Sequence, residues 1–467
     1  AYPGGMELLA AGRPHAVILQ HAPARTHYDG FPLYPLHSLE RQIKAIEILS
    51  KARVVAIAIN HEGLSTSQAR EACARIREST GLPTADVGRI NLALAPSAPQ
   101  TIFASIHDIS EGDLLGIWKS LDGGADWAEL PGGIVSCRNQ CWYDMTIAVH
   151  PTDSNTVFFG GVSLFKSTDG GNSFFDIRGN IHVDQHHLTF DPQDPETVFV
   201  GNDGGIYRST NGGGAWTSLN TNLALTQFYP GISLHPWDAT VAMGGTQDNG
   251  TLEFSGSFDF NHLLGGDGGF TAFDFLNPNT RYAETQWSPD ASYIGPRRSD
   301  GGAFIRKVNG IDISEKALFL PPLVMDPVDP TRLYFGTVRL YRTDDSAETW
   351  SPATSEFQGR ISAIAPSISN PEVVYLGTSR GEVQVTSDGG GSWTDVTTGL
   401  PNRHINDITV DPSTWKRAFL TVSGYGSGHV FRTEDDGESW QDASGNLPDL
   451  PVNAVLLDPA ETNTVFI

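Results

Sequence analysis

Four aspartates, Asp144, Asp184, Asp248 and Asp267, stand in polar stretches close to hydrophobic segments. They are the residues with which this chain could move protons. Two carboxyls at a fixed separation, one protonated and one ionised, cleave glycosidic bonds, and Asp144 and Asp267 lead as such a catalytic pair. Asp267 lies between two glycine pairs, where capping a turn is the competing role. The triplet His182-x-Asp184-x-His186 offers two imidazoles and a carboxylate. On an extended segment, alternation turns all three the same way, so they could hold Zn²⁺ or another divalent metal as cofactor. A hydrogen-bonded polar cluster is the alternative. Trp142 and Trp287 could stack on sugar rings or pack between sheets.

These residues need a frame, and an internal repeat supplies it. Ser/Thr, then Asp/Asn two residues on, Gly at four and Trp/Phe at seven recur along the chain. The copies are Ser120-Asp122-Gly124-Trp127, Ser167-Asp169-Gly171-Phe174 and Ser209-Asn211-Gly213-Trp216, then Thr343-Asp345-Ala347-Trp350, Thr386-Asp388-Gly390-Trp393 and Thr433-Asp435-Gly437-Trp440. Their starts lie 47, 42, 134, 43 and 47 residues apart. The long gap is three periods, so two units lack the motif, with a worn copy near Asp300-Gly301-Gly302. A second element alternates with the first, a strand ending in Asp/His-Pro and followed by another strand, as at His150-Pro151, Asp191-Pro192, His235-Pro236, Asp326-Pro327, Asp411-Pro412 and Asp458-Pro459. Several short strands at this period predict propeller blades. The expected fold is mainly all-β, a β-propeller of four-stranded blades with at least eight repeat units, breaking off inside a ninth. The motif itself reads as a folding device. Its Asp accepts backbone N–H groups in a tight turn, Gly supplies positive φ, and the aromatic ring packs between sheets.

In such a fold the strand before each Asp/His-Pro is innermost, and the residues leading into it converge on one mouth. That address collects Tyr143 and Asp144, then His182, Asp184 and His186, then Gln227 and Tyr229, then Asp248 and Asp267, and finally His404, Asn406 and Asp407. Asn249-Gly-Thr251 fits a glycosylation acceptor or a simple Asn-Gly turn.

The turn motifs are Asp-boxes, or BNR repeats, and resemble those of sialidases, sortilin-type receptors and xyloglucan-hydrolysing propeller enzymes over about residues 91–467. Trp142-Tyr143-Asp144, His182 to His186, Gly244-Gly245-Thr246-Gln247-Asp248-Asn249-Gly250 and Gly265-Gly266-Asp267-Gly268-Gly269 are similar to bacterial sortilin-like or glycosyl-hydrolase-like repeat proteins. The resemblance implies a protein- or glycan-binding module acting through its mouth. The alternatives are a glycoside hydrolase acting on a polysaccharide, or a structural propeller of a larger exported protein. It also implies a secreted, periplasmic or cell-surface location. No arginine triad of the sialidase kind is visible.

The first 88 residues differ. Residues 16–20 and 54–60 read as strands and 39–49 as a helix, and a second helix is capped by Ser65 with Gln68 and ended by Gly81. This is a short α/β, Rossmann-like fragment. Leu19-Gln20-His21-Ala22-Pro23, His27-Tyr28-Asp29-Gly30-Phe31-Pro32, Leu39-Glu40-Arg41 and Asn60-His61-Glu62-Gly63 resemble the C-terminal end of a P-loop family that includes D-glutamate N-acetyltransferases, which are cytoplasmic enzymes. The family's phosphate-binding loop is absent, which implies a fragment inactive by itself, with His21, His27 and His61 at most lining part of a pocket. The N-terminus has neither initiator Met nor leader and reads as the middle of a longer protein.

Composition supports the division. Residues 1–90 hold ten Lys and Arg against eight Asp and Glu, whereas the rest carries a net charge near −26 and all ten Trp. Such a charge argues against nucleic acid as a partner. No 18-residue apolar stretch exists, so no membrane insertion is expected. Cys137 and Cys141 could pair across a loop or remain thiols.

Overall fold

The computed structural model describes residues 16–28, 31–59, 64–81, 84–85, 88–109, 111–131, 133–221, 223, 225–257, 260–287 and 295–467. Spatial proximity divides the chain into two compact units, residues 1–225 and 226–467.

The first unit begins with the α/β segment. Strand Ala16–His21 pairs in parallel with Arg53–Ile59, which pairs in parallel with Thr84–Ala85. Helices Leu39–Ser50 and Thr66–Thr80 make the connections. The second helix carries the expected capping box: Ser65 accepts from the Gln68 backbone, and the Gln68 side chain accepts from the Ser65 backbone. Gly81 ends it at φ 68°. Ile57, Ile59, Cys73 and Ile76 form the small core between helix and sheet. Among the described residues these are the two helices, and neither is long and apolar enough to cross a membrane. Asn60, His61, Glu62 and Gly63, together with Asp29 and Gly30, lie outside the described residues.

Among the described residues downstream, the strands form antiparallel four-stranded sheets. Three sheets lie in the first unit and five in the second, followed by a two-stranded hairpin of Leu456–Leu457 and Val465–Phe466. The first sheet runs Ile90–Leu94, Ile102–His107, Leu114–Ser120, Ala128–Glu129, and the strands of every sheet pair in sequence order. These are propeller blades, eight of four strands among the described residues, as the repeat predicts. The sheets of residues 233–264 and 268–306 fill the long gap between motifs.

The turn motif closes the hairpin between the third and fourth strands. In the first blade the Ser120 hydroxyl donates to Asp122 Oδ1 at 2.8 Å and accepts from the Gly124 N–H at 2.8 Å, while Asp122 Oδ1 accepts from Ala125 and Asp126. Asp169, Asn211, Asp345, Asp388 and Asp435 repeat the pattern. The position after next is left-handed, φ 91° at Gly171 and 95° at Gly390, so Gly suits it. Ala347 takes the same place at φ 68°, preceded by Ser346 at φ 58°.

The motif also joins blades. The indole N–H of Trp216 donates to the Ile177 carbonyl, Trp350 to Lys307, Trp393 to Ala353 and Trp440 to Val396, all within 3 Å and each across to the preceding sheet. Trp127, in the first blade, bonds its own Gly124 carbonyl and is 38% exposed, against 3% for Trp350. Phe174 is buried in the same role without a donor. A cation one residue before the Ser/Thr reaches forward: Lys119 donates to Gly170, Lys166 to Gly212, Arg298 to Ser346 and Arg342 to Gly389.

In the two blades that lack the motif, glycine does different work. A Cβ on Gly245 would sit 2.2 Å from the Gly268 carbonyl carbon, so two backbones touch there. That close approach accounts for the glycine-rich runs around residues 245 and 268.

Candidate functional site

In the first unit, the segment before strand Thr146–Val149 is fixed from several sides. Cys137 and Cys141 form a disulfide, resolving the alternatives left by the sequence. Asp113 accepts from the Cys137 N–H at 2.7 Å and from the Ser136 hydroxyl. The Arg89 guanidinium donates to the Tyr143 carbonyl at 2.6 Å, and Asn91 donates to the carbonyl of Met145. The two peptide carbonyls flanking Asp144 are thereby pinned, and its N–H donates to Gln140 at 3.0 Å.

Asp144 is fully buried, and neither carboxyl oxygen meets an N–H or O–H donor. Burial first, then the carboxyl of Asp184, push its pKa up to about 8. Asp184 is half-buried, and its own carboxyl is raised mainly by burial and further by Asp203. Asp184 thus adds its charge to the effect of burial on Asp144, while Gln140 donates to Asp184 Oδ1 at 3.2 Å. Asp203, on the turn between strands Val198–Asn202 and Gly205–Ser209, completes the group. It accepts from His186 Nε2 at 2.6 Å and from the Tyr143 hydroxyl at 3.0 Å. That bond to Asp203 raises the His186 pKa against the pull of burial. The Tyr143 and His186 rings meet edge-on at 4.8 Å. Beside them Trp142 is 63% exposed, its ring 5.6 Å from Tyr143.

The extended alternation expected for His182, Asp184 and His186 is broken. Asp184 has φ 64°, the strand starts only at Gln185, and the pairing slips between Gln185 and His187. Among the described residues their ligand atoms do not gather within 4.8 Å, as a divalent metal would need. The one group that does comprises Asp113 and the two disulfide cysteines, whose sulfurs are already bonded to each other. His182 Nδ1 instead lies 3.1 Å from the Val183 carbonyl.

The second unit holds the other candidates. Asp267 Oδ1 accepts from the Asp248 N–H at 2.9 Å and from the Tyr229 hydroxyl at 3.4 Å. Burial, with the charges of Asp267 and Asp248, pushes Tyr229 up to about 12. Asp248 sits at φ 59° in the turn and supplies its backbone. These bonds brace the turn through Asp267. Gln227 is exposed and accepts through its carbonyl from Gln247. Asn406 donates to the Val452 carbonyl at 2.7 Å, and Asp407 accepts from Val455 and Ile408, so both tie one repeat to the next. Burial raises Asp407 to about 6 and lowers His404. Trp287 is half-buried, and Thr251 of the acceptor triplet is fully buried.

Sequence reasoning missed Asp203, Arg89 and Gln140. Asp203 reads as part of an Asn-Asp-Gly-Gly turn. Pairing the two strands antiparallel would have found it, since Gln185 opposes Asn202 and so brings residues 184 and 203 to one end of the sheet.

Residues 1–93 match the family model described as Domain of unknown function (DUF1611_C) P-loop domain. The D-glutamate N-acetyltransferase of Tritonibacter scottomollicae is 34% identical over 100 residues, 19% of this chain and 30% of that protein. The Xyloglucanase of Hypocrea jecorina (strain QM6a) is 25% identical over 340 residues, 64% of this chain and 36% of that protein. The chain spans about a third of the length of these curated relatives. Two solved structures are similar. The Niastella koreensis GH74 enzyme has 16% identity, covering 80% of this chain and 68% of that one, at a TM-score of 0.26. YCF48 from Cyanidioschyzon merolae has 14% identity, covering 59% and 89%, at a TM-score of 0.39. The sequence matches agree with the two-part composition expected above, a P-loop-type segment ahead of a glycoside-hydrolase-like propeller.

Proposed function

We propose that the propeller is a glycoside hydrolase-like module acting on a polysaccharide at the Trp142, Asp144, Asp184 and Asp203 cluster. The observation that carries this reading is Asp144, a fully buried carboxyl without a donor, pushed up to about 8 by burial and by half-buried Asp184. A carboxyl that stays protonated near neutral pH can protonate a leaving glycosidic oxygen. Asp144 is sealed from solvent, so Asp184 is the member of the pair that meets substrate, and Asp144 maintains its proton. The exposed Trp142 indole offers a face for a sugar ring. The relative named Xyloglucanase supports a polysaccharide substrate. The same surface would serve a sortilin-like module that binds protein or glycan without cleaving it.

We assign residues 1–88 and 91–467 to separate domains, the first an α/β segment and the second the propeller. The disulfide fits an exported, oxidising location for the propeller.

The test is release of new reducing ends from soluble polysaccharides, xyloglucan included, by the full chain and by Asp184→Asn and Asp144→Asn. Release by the wild type that falls at least about 100-fold in Asp184→Asn supports hydrolysis. Retention of a glycan in affinity electrophoresis without release replaces it with the binding reading. Release untouched by either substitution removes the cluster from the chemistry.

A further inference from the structure

The reading above leaves the nearest base unexplained. His186 lies beside Asp184, half exposed, and the described residues bond only its Nε2. We infer that Asp203 is a positioning residue: it fixes the His186 imidazole through Nε2 and the Tyr143 phenol through its hydroxyl, so that His186 meets a sugar hydroxyl with Nδ1. This inference rests on the glycan reading for its ligand and on geometry alone for its positioning.

Three separate segments meet at Asp203. Tyr143 comes from the disulfide-braced loop, His186 from strand Gln185–Phe190, and Asp203 from the hairpin turn beyond Val198–Asn202. The Asp203 carboxyl is nearly buried, at 8% side-chain exposure, and accepts from His186 on one oxygen and from Tyr143 on the other. The Asp203 oxygen accepts from Nε2, so Nε2 carries the hydrogen of that bond. The tautomer of neutral His186 is thereby set, and Nδ1 is left as an acceptor. The edge-on Tyr143 ring at 4.8 Å prevents the imidazole from turning away. On protonation Nδ1 becomes a donor, and the ring changes from accepting a sugar hydroxyl's hydrogen to giving one. The charged groups acting on His186 are Asp203 and Asp184, which favour its cation, and Arg89, which opposes it. Asp203 is thus the one group that both orients the ring and sets the pH at which its hydrogen bond reverses.

The experiment is an NMR titration of the full chain labelled at histidine Cε1, with the His186 signal assigned by its loss in His186→Asn. In the wild type the midpoint should lie above the ordinary value of 6.5. In Asp203→Asn it should drop by about one unit or more, to 6.5 or below, because the amide no longer favours the cation. In Tyr143→Phe it should stay high, since Asp203 keeps its bond to Nε2. A wild-type midpoint at or below 6.5 overturns the inference even if Asp203→Asn fails to fold. So does an unchanged midpoint in Asp203→Asn, or an equal drop in Tyr143→Phe. In parallel, soluble xyloglucan serves as the probe in affinity electrophoresis between pH 5.5 and 8. Retention that changes with pH in the wild type, and not in Asp203→Asn or His186→Asn, supports the ligand contact. Retention that follows pH equally in all three overturns that contact. No retention at any pH, with the titrations as expected, refutes the glycan reading and leaves the positioning role supported.

Discussion

Replacing Asp144 by Asn should stabilise the protein, increasingly as pH rises from about 4 to 8. The native carboxyl is pushed up to about 8, against 3.8 for the free group. Between these values the native state holds a proton that the unfolded chain has released. The protein therefore loses stability as pH rises from about 4 to 8, and the full cost of ionising Asp144 is present above 8. Roughly four units at about 1.4 kcal/mol each bound the effect near 6 kcal/mol. Asp184 is half-buried and takes part of the charge, and an asparagine amide can donate to it. The expected gain is therefore about 2–3 kcal/mol at pH 8.5, within the range for relieving a buried unsatisfied group. At pH 5 a neutral carboxyl is exchanged for a neutral amide of the same shape, and the difference should shrink to about 0.5 kcal/mol. Urea unfolding of wild type and Asp144→Asn at both pH values, followed by tryptophan fluorescence, measures this. A variant no more stable than the wild type at pH 8.5 refutes the argument. So does a gain of the same size at pH 5, which would mean that packing and not charge is responsible.

The blade-joining turns make two further predictions. Trp350→Phe removes the indole N–H from the half-buried Lys307 carbonyl and should cost about 1–3 kcal/mol, whereas Trp127→Phe, at a half-open position that bonds its own turn, should cost about 0.5 kcal/mol or less; comparison of their urea midpoints decides it. Ser346→Gly relieves a left-handed residue where four of the other five copies have glycine and one has Asp436, and should raise stability by about 0.5–1 kcal/mol in the same assay.

Most of the frame was legible because turn chemistry is local. Ser120, Asp122 and Gly124 satisfy one another within a few residues, so their spacing alone reports the turn. The α/β segment was legible for the same reason: Ser65 and Gln68 complete their box within one turn of helix. The ties between blades were not. The carbonyls that accept from Trp216 and Trp393 lie 39 and 40 residues upstream and have no side-chain signature. The site failed in a different way. Alternation was assumed for residues 182–186, but Asp184 is left-handed, which no propensity assigns to an isolated aspartate. Asp203 was hidden because its turn sequence suits a hairpin as well as a site.

The address at the head of each first strand shows how a site can be told from scaffold. Polar residues recur there because one repeat must be tied to the next. Asn91 gives its amide to the Met145 carbonyl, Asn406 gives its amide to Val452, and Asp407 accepts from Val455. Each of these uses its hydrogen-bonding capacity on the neighbouring repeat. Asp144 occupies the same kind of position and does the opposite: its neighbours pin its backbone on both sides, while its carboxyl oxygens receive no donor. Burying such a group costs stability that a scaffold residue would have no reason to give up. Asn at this position would keep every backbone tie and avoid the cost. Under the proposed function the carboxyl serves through its effect on Asp184, and a donor-free acid at a tying position sets this segment apart from those of Asn91, Asn406 and Asp407.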